Sequence, residues 1–105
     1  MGNDNRYNIM DKSFVYILTN KDNTVLYTGV TSDLEKRIIQ HRDKTFGGFS
    51  ARYNLGKLVY FEEWPNITSA IQREKAIKRL SRQRKISLIE RLNPYWKELI
   101  EDKEQ

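Results

Sequence analysis

Two short apolar runs near the start, Phe14 to Thr19 and Val25 to Val30, constrain the fold of this chain more than any other feature. Both are rich in β-branched and aromatic residues, and Asn20-Lys21-Asp22-Asn23 between them is a turn-forming cluster. A β-hairpin is therefore expected. Neither run alternates polar with apolar residues, so both strands should be covered on both faces and lie at the centre of the fold. A third strand is expected at Lys57 to Trp64, stopped by Pro65. A chain of 105 residues has apolar content for one modest core. One domain spanning 1–105 is expected, its core running from about 14 to 96 between a polar start and an acidic tail.

The hairpin bears on two tyrosines. An even number of loop residues puts Tyr16 and Tyr27 on one face of the sheet, and an odd number separates them. A same-face pair is either a stabilising aromatic contact or part of a site. Gly29, in Thr28-Gly29-Val30, lets a ligand or neighbouring backbone approach closely.

After the hairpin, Thr31 or Ser32 is placed to cap a helix running to about Asp43. Leu34 and Ile38 face inward one turn apart, and Arg37 and His41 form an adjoining stripe at the edge of the core. The glycine-containing stretch Thr45 to Ser50 reads as a mobile loop. Asn66 or Thr68 should cap a second helix ending near Arg82. Ile86 to Leu92 forms another, ended by Asn93-Pro94. A last short helix, Tyr95 to Glu101, should pack Trp96, Leu99 and Ile100.

The second helix carries an energetic oddity. Ile67, Ala70, Ile71, Ile77 and Leu80 share one face at helical spacing, and Glu74 falls among them. Burying an unpaired carboxylate costs several kcal/mol, so Glu74 needs a cation, either a metal or a basic partner such as Arg37, Arg73 or Lys78.

Charge narrows the partners. The net charge is +5, and from Arg73 to Arg91 eight basic residues stand against two acids. A polyanion suits such a surface, because each neutralised phosphate releases a counterion. Lys75, Lys78, Arg79, Arg82, Arg84 and Lys85, with Arg52 and Lys57 elsewhere, are the expected nucleic-acid contacts. The absence of cysteine excludes disulfides and thiolate metal sites. No apolar run approaches the roughly 20 residues of a membrane span, and Met1 to Lys12 has no signal-peptide core. The chain is expected to be cytoplasmic and off the membrane.

Taken together, these residues resemble the GIY-YIG nuclease family. Phe14-Val15-Tyr16 stands at the first family triplet and Tyr27-Thr28-Gly29 at the second, while Arg37, His41 and Glu74 match the later motifs in order and spacing. Asn93 matches the family's late asparagine. The likeness runs from about Phe14 to Trp96 and looks most like small stand-alone bacterial members related to the N-terminal catalytic domain of the bacterial excinuclease. Phe14 replaces the first glycine and Thr28 the second isoleucine. Val30 stands where some members carry lysine, a role that Lys57 or Arg52 would have to take over.

The resemblance implies an α/β (α+β) fold, a three-stranded antiparallel sheet flanked by helices, and an endonuclease that hydrolyses DNA phosphodiesters in repair or recombination. One divalent ion, Mg²⁺ or Mn²⁺, would be held by Glu74 and keep several waters. Arg37 would stabilise the phosphate charge. Tyr16 or Tyr27 would orient or deprotonate the attacking water, with help because a phenol ordinarily titrates near 10. His41 would take a proton or bind the phosphate, and Asn93 would be either part of the site or a helix stop. RNA stands beside DNA as a substrate. The alternative is a non-catalytic nucleic-acid-binding module of the same fold.

Overall fold

A computed structural model describes residues 12–45 and 47–101. The hairpin forms as β1 (Ser13–Thr19) and β2 (Leu26–Thr31), and β3 (Lys57–Trp64) completes an antiparallel sheet in the order β2-β1-β3. This is the expected α+β architecture. Only β1 is central, however; β2, which its apolar run also placed at the centre, is an edge strand. The hairpin loop has six residues, since Thr19 pairs with Leu26, and Asn20 closes it by accepting from the Thr24 and Val25 amides. That even count places Tyr16 opposite Gly29 and Leu18 opposite Tyr27.

The sheet is covered on both faces, as the unalternating strands require. On one side Val15, Ile17, Val59 and Tyr60 pack with Ala70, Ile77, Ile89 and Trp96; on the other Tyr16, Leu18 and Leu58 pack with Leu34, Ile38 and Leu55. A register shift in the β1–β3 ladder makes this possible. Ile17 pairs with Tyr60 and Leu18 with Leu58, leaving Val59 as an extra residue. The bulge turns Val59 and Tyr60, neighbours in sequence, into the same core.

Four helices complete the described structure: α1 (Leu34–Arg42), α2 (Gly48–Arg52), α3 (Ile67–Lys78) and α4 (Arg82–Leu92). Several details differ from expectation. Asp33, not Thr31 or Ser32, caps α1 by accepting from the Lys36 amide at 3.2 Å, while Thr31 accepts the Asp33 amide one step earlier. Asn66 caps α3 as expected, at 2.8 Å from the Ser69 amide. Ser81 caps α4, which therefore begins four residues before Ile86 and takes in Arg82, Arg84 and Lys85. Part of the stretch expected to be a mobile loop is helix α2, entered through Gly47 and Gly48 at φ 64° and 74°, values that glycine adopts without strain. The buried stripe of α3 is narrower than its periodicity implies: Ala70, Glu74 and Ile77 are buried, but Ile67 and Ile71 reach solvent.

The last segment is not a helix. Pro94 follows Asn93, and Trp96 adopts φ 56°, which breaks any helical run through Tyr95 to Glu101. Asn93 instead clamps the chain. Its amide donates to the Val59 carbonyl at 3.0 Å and the Lys97 carbonyl at 2.9 Å, and its oxygen accepts the Lys97 amide at 3.0 Å. Trp96 is buried with its indole on Glu90, whereas Leu99 is exposed and offers its amide to the Leu58 carbonyl. Arg42 fastens the end from the other side, on Glu98 at 2.8 Å and the Ile100 carbonyl at 2.6 Å. Among the described residues no helix is long and apolar enough to cross a membrane.

Removing the clamp leaves the buried Val59 carbonyl without that donor. Asn93→Ala is expected to lower stability by about 1–3 kcal/mol, measured by urea unfolding. Leu92→Ala, at a neighbour 72% exposed, should stay within about 0.5 kcal/mol of the parent.

Candidate active site

The strand register builds the site around Tyr16. Its ring crosses to β2 and lies against Gly29, where a Cβ would overlap the phenol carbon and oxygen. The glycine is required there for space. Tyr27, opposite Leu18, sits on the same face, its ring 6.4 Å from that of Tyr16.

His41 reaches this pair from α1. The helix is oriented by the burial of Leu34 and Ile38, and His41, one turn beyond Arg37, is itself buried. Its Nε2 lies 3.0 Å from the Tyr16 hydroxyl and its Nδ1 2.8 Å from the Ser50 hydroxyl on α2. Its ring also meets Tyr27 edge-on at 5.5 Å. Sequence reasoning misses Ser50, because it lies inside a stretch that reads as loop and no motif marks a lone serine.

Protonation follows from burial. The Tyr16 phenol is pushed up to about 12, first by burial and then by Tyr27, with Arg37 pulling the other way and the charge of Glu74 adding a little. His41 is lowered from 6.5, first by burial and then by the Arg37 charge. At neutral pH both are uncharged. The neutral imidazole can bridge the two hydroxyls, one ring nitrogen accepting and the other donating, and in the tautomer protonated at Nδ1 the phenol donates to Nε2 while Nδ1 donates to Ser50. The result is a chain from Tyr16 through His41 to Ser50.

Glu74 is buried, 9% exposed, and its carboxylate meets the Lys78 ammonium at 2.7 Å, one turn along α3. Of the partners weighed from sequence, the structure supplies Lys78. A second acid offers a contrast. The Glu62 carboxylate is held by two Arg73 nitrogens at 2.8–3.1 Å, by the Trp64 indole at 2.9 Å and by the Tyr60 hydroxyl. Burial raises its pKa, but those donors outweigh the burial and leave it below the usual range. Arg73 is thereby tied to Glu62 and not to Glu74. The Lys78 side chain is itself 53% exposed, so an incoming cation can replace it at Glu74 without opening the core.

Among the described residues no group of three acidic or histidine side chains surrounds a metal position. Glu74 fits a hard ion that keeps most of its waters and draws other ligands from a phosphate. It does not fit an ion caged by protein alone.

The remaining expected contacts divide. Lys75, Lys78, Arg79, Arg82 and Arg84 are exposed along α3 and α4, and Lys85 is half-buried beside them. Lys57 is engaged at the hairpin turn, its ammonium 3.0 Å from the Asn23 side chain. Arg52 is exposed at the end of α2, over the Tyr53 ring. Asn93 is occupied as the clamp described above.

Gly29→Ala is expected to displace the Tyr16 ring, lowering stability by about 1–3 kcal/mol and breaking the hydrogen bond to His41, seen as a change in the His41 nitrogen resonances. Stability should also fall on both sides of neutral pH. Tyr16 ionises near 10 when unfolded and about 12 when folded, so its contribution is complete below pH 10 and lost as pH rises toward 12. Tyr60, also pushed up to about 12 by burial and by Glu62, adds to the same fall. His41, held below 6.5, contributes fully above that value and less as pH drops through its folded pKa. Urea unfolding across pH tests this; Tyr16→Phe should flatten the alkaline limb.

The GIY-YIG catalytic domain matches residues 12–87 of this chain. A UPF0213 protein of Clostridium perfringens (strain 13 / Type A) is 47% identical over 81 residues, covering 73% of this chain and 82% of its own length. A UPF0213 protein of Staphylococcus saprophyticus is 41% identical over 80 residues, or 76% of this chain and 96% of its own. The solution NMR structure of the UPF0213 protein from Bacillus halodurans is similar at a TM-score of 0.51 and 28% identity, over 90% of this chain and 99% of that one. With the whole sheet and α1 to α3 inside the family match and the two triplets brought together on β1 and β2, the chain belongs to the GIY-YIG family of nucleases, among its UPF0213 members.

Proposed function

We propose that this protein is a divalent-metal-dependent endonuclease that hydrolyses DNA phosphodiester bonds. The observation that carries the reading is the buried chain Tyr16–His41–Ser50 beside Arg37 and Glu74. A structural core has no need of an uncharged histidine held between two hydroxyls with a guanidinium at its edge.

Hydrolysis requires a water oxygen to bond to phosphorus as the bond to the leaving oxygen breaks, with a proton taken from the attacking water and another returned to the leaving oxygen from solvent. Of the two tyrosines Tyr16 takes this role, because its hydroxyl lies 3.0 Å from His41 Nε2, within reach for handing its proton on. With its pKa near 12, free phenolate is scarce at neutral pH. Tyr16 therefore accepts the water proton as it passes its own to His41, and Ser50 holds the histidine in the tautomer that can receive it. Arg37 neutralises charge growing on the phosphate oxygens. Glu74 would hold Mg²⁺ or Mn²⁺ in place of Lys78, and a bound ion supplies Lewis-acid stabilisation of the phosphate. Tyr27 packs the histidine ring and keeps water from its edge, while the exposed bases of α3 and α4 bind the DNA backbone.

Incubation of the full chain with DNA and Mg²⁺ is expected to give cleavage that EDTA abolishes. Glu74→Gln and Arg37→Ala should each lower the rate by at least about 100-fold with the fold intact. The rate should rise with pH through the depressed His41 pKa, below 6.5, and level off above it. Salt-sensitive DNA binding with no metal-dependent cleavage would favour the non-catalytic module instead.

A further inference from the structure

Helix α2 carries aromatic surface that the proposed chemistry does not use. The Phe49 ring stacks on Tyr27 at 6.3 Å with the planes 24° apart, and Tyr53 packs against Phe49 at 4.7 Å. Arg52 lies over the Tyr53 ring at 5.9 Å. The rings thus continue outward from the Tyr16–His41 pair without a break. Phe49 is 49% and Tyr53 43% exposed, whereas Ser50, between them in sequence, turns inward and is buried. The helix and its C-cap Tyr53 therefore send the small polar residue to the interior and keep the large rings at the surface, the reverse of what burial alone would select.

Two large rings kept at the surface next to a cationic guanidinium match one ligand chemistry closely. Nucleobases stack on such rings whatever their identity, and the flanking arginine meets the adjoining phosphate. Bases inside a duplex have their faces covered by neighbours and cannot use this surface. We infer that Phe49 and Tyr53 form a stacking platform for unpaired bases next to the cleaved phosphate, so that the substrate is single-stranded DNA or a DNA segment with splayed bases. The inference rests on the nuclease reading for its choice of DNA; the platform itself rests on the ring geometry. Charge complementarity supports the occupant, since Arg52 flanks the rings and the chain carries a net +5.

Binding of the full chain to a fluorescently labelled single-stranded 20-mer, to the matching duplex and to the RNA of the same sequence is measured by anisotropy in EDTA, about 20 nucleotides being enough to span a site of this class. The single DNA strand should bind more tightly than the duplex. Phe49→Leu and Tyr53→Leu, which keep apolar bulk, should each weaken single-strand binding by roughly 5- to 100-fold while duplex binding changes less than about twofold, and Phe49→Trp should retain it. Equal losses on single strand and duplex, or no loss, would overturn the platform; tighter aromatic-dependent binding of RNA would overturn the choice of DNA. Because no metal is present, the outcome is separable from catalysis. A protein that binds as described but never cleaves defeats the nuclease reading alone, and one that cleaves duplex while ignoring both substitutions defeats the platform alone.

Discussion

Strand β1 has no free side. Val15, Ile17 and Leu18 are wholly buried and Tyr16 nearly so, with residues of the strand feeding the two cores on opposite faces of the sheet. Helices must therefore pack on both sides, and they do: α3 and α4 on one, α1 on the other. The phenol of Tyr16 inherits this dryness. Its proton is held tightly because the strand that carries it was excluded from water for reasons of packing, and the histidine that faces it stays neutral for the same reason. Folding and the protonation of the site are consequences of one burial.

Two carboxylates drawn out of water, the part-buried Glu62 and the buried Glu74, show how differently that cost can be met. Glu62 is saturated by donors from Arg73, Tyr60 and Trp64, and it joins β3 to α3 as a fixed strut. Glu74 meets a flexible, half-exposed ammonium from its own helix. Breaking the first arrangement would strand a charge; exchanging the partner in the second would not. A carboxylate in an apolar stripe is ordinary structure when it is enclosed by donors, and it draws a functional reading when its counterion can leave.

The strands were legible as apolar runs flanking a turn cluster, though not which of them is central, and the loop parity that the sequence left open is what sets Tyr16 and Tyr27 on one face. Arg37, His41 and Glu74 were singled out together through motif order, and the structure sets His41 against Tyr16 and Glu74 against Lys78. Three things were not legible. The α2 helix is too short for periodicity to mark and opens on two glycines, which in a sequence signify flexibility. Ser50 and Arg42 act through partners distant in the chain, His41 and Glu98, which no local pattern displays. The C-terminal segment has helical apolar spacing, but the left-handed Trp96 and the three hydrogen bonds of Asn93 override that propensity with tertiary ones.

Helix α2 has only five residues, and neighbouring positions on it face opposite ways: Ser50 inward to the imidazole, Phe49 and Arg52 outward. So short a segment cannot place these residues independently, because one stretch of backbone sets them all. A substitution that displaces the outer rings is therefore expected to displace the serine that faces His41 as well. One turn of helix thus serves two surfaces at once, and neither can be rebuilt without regard to the other.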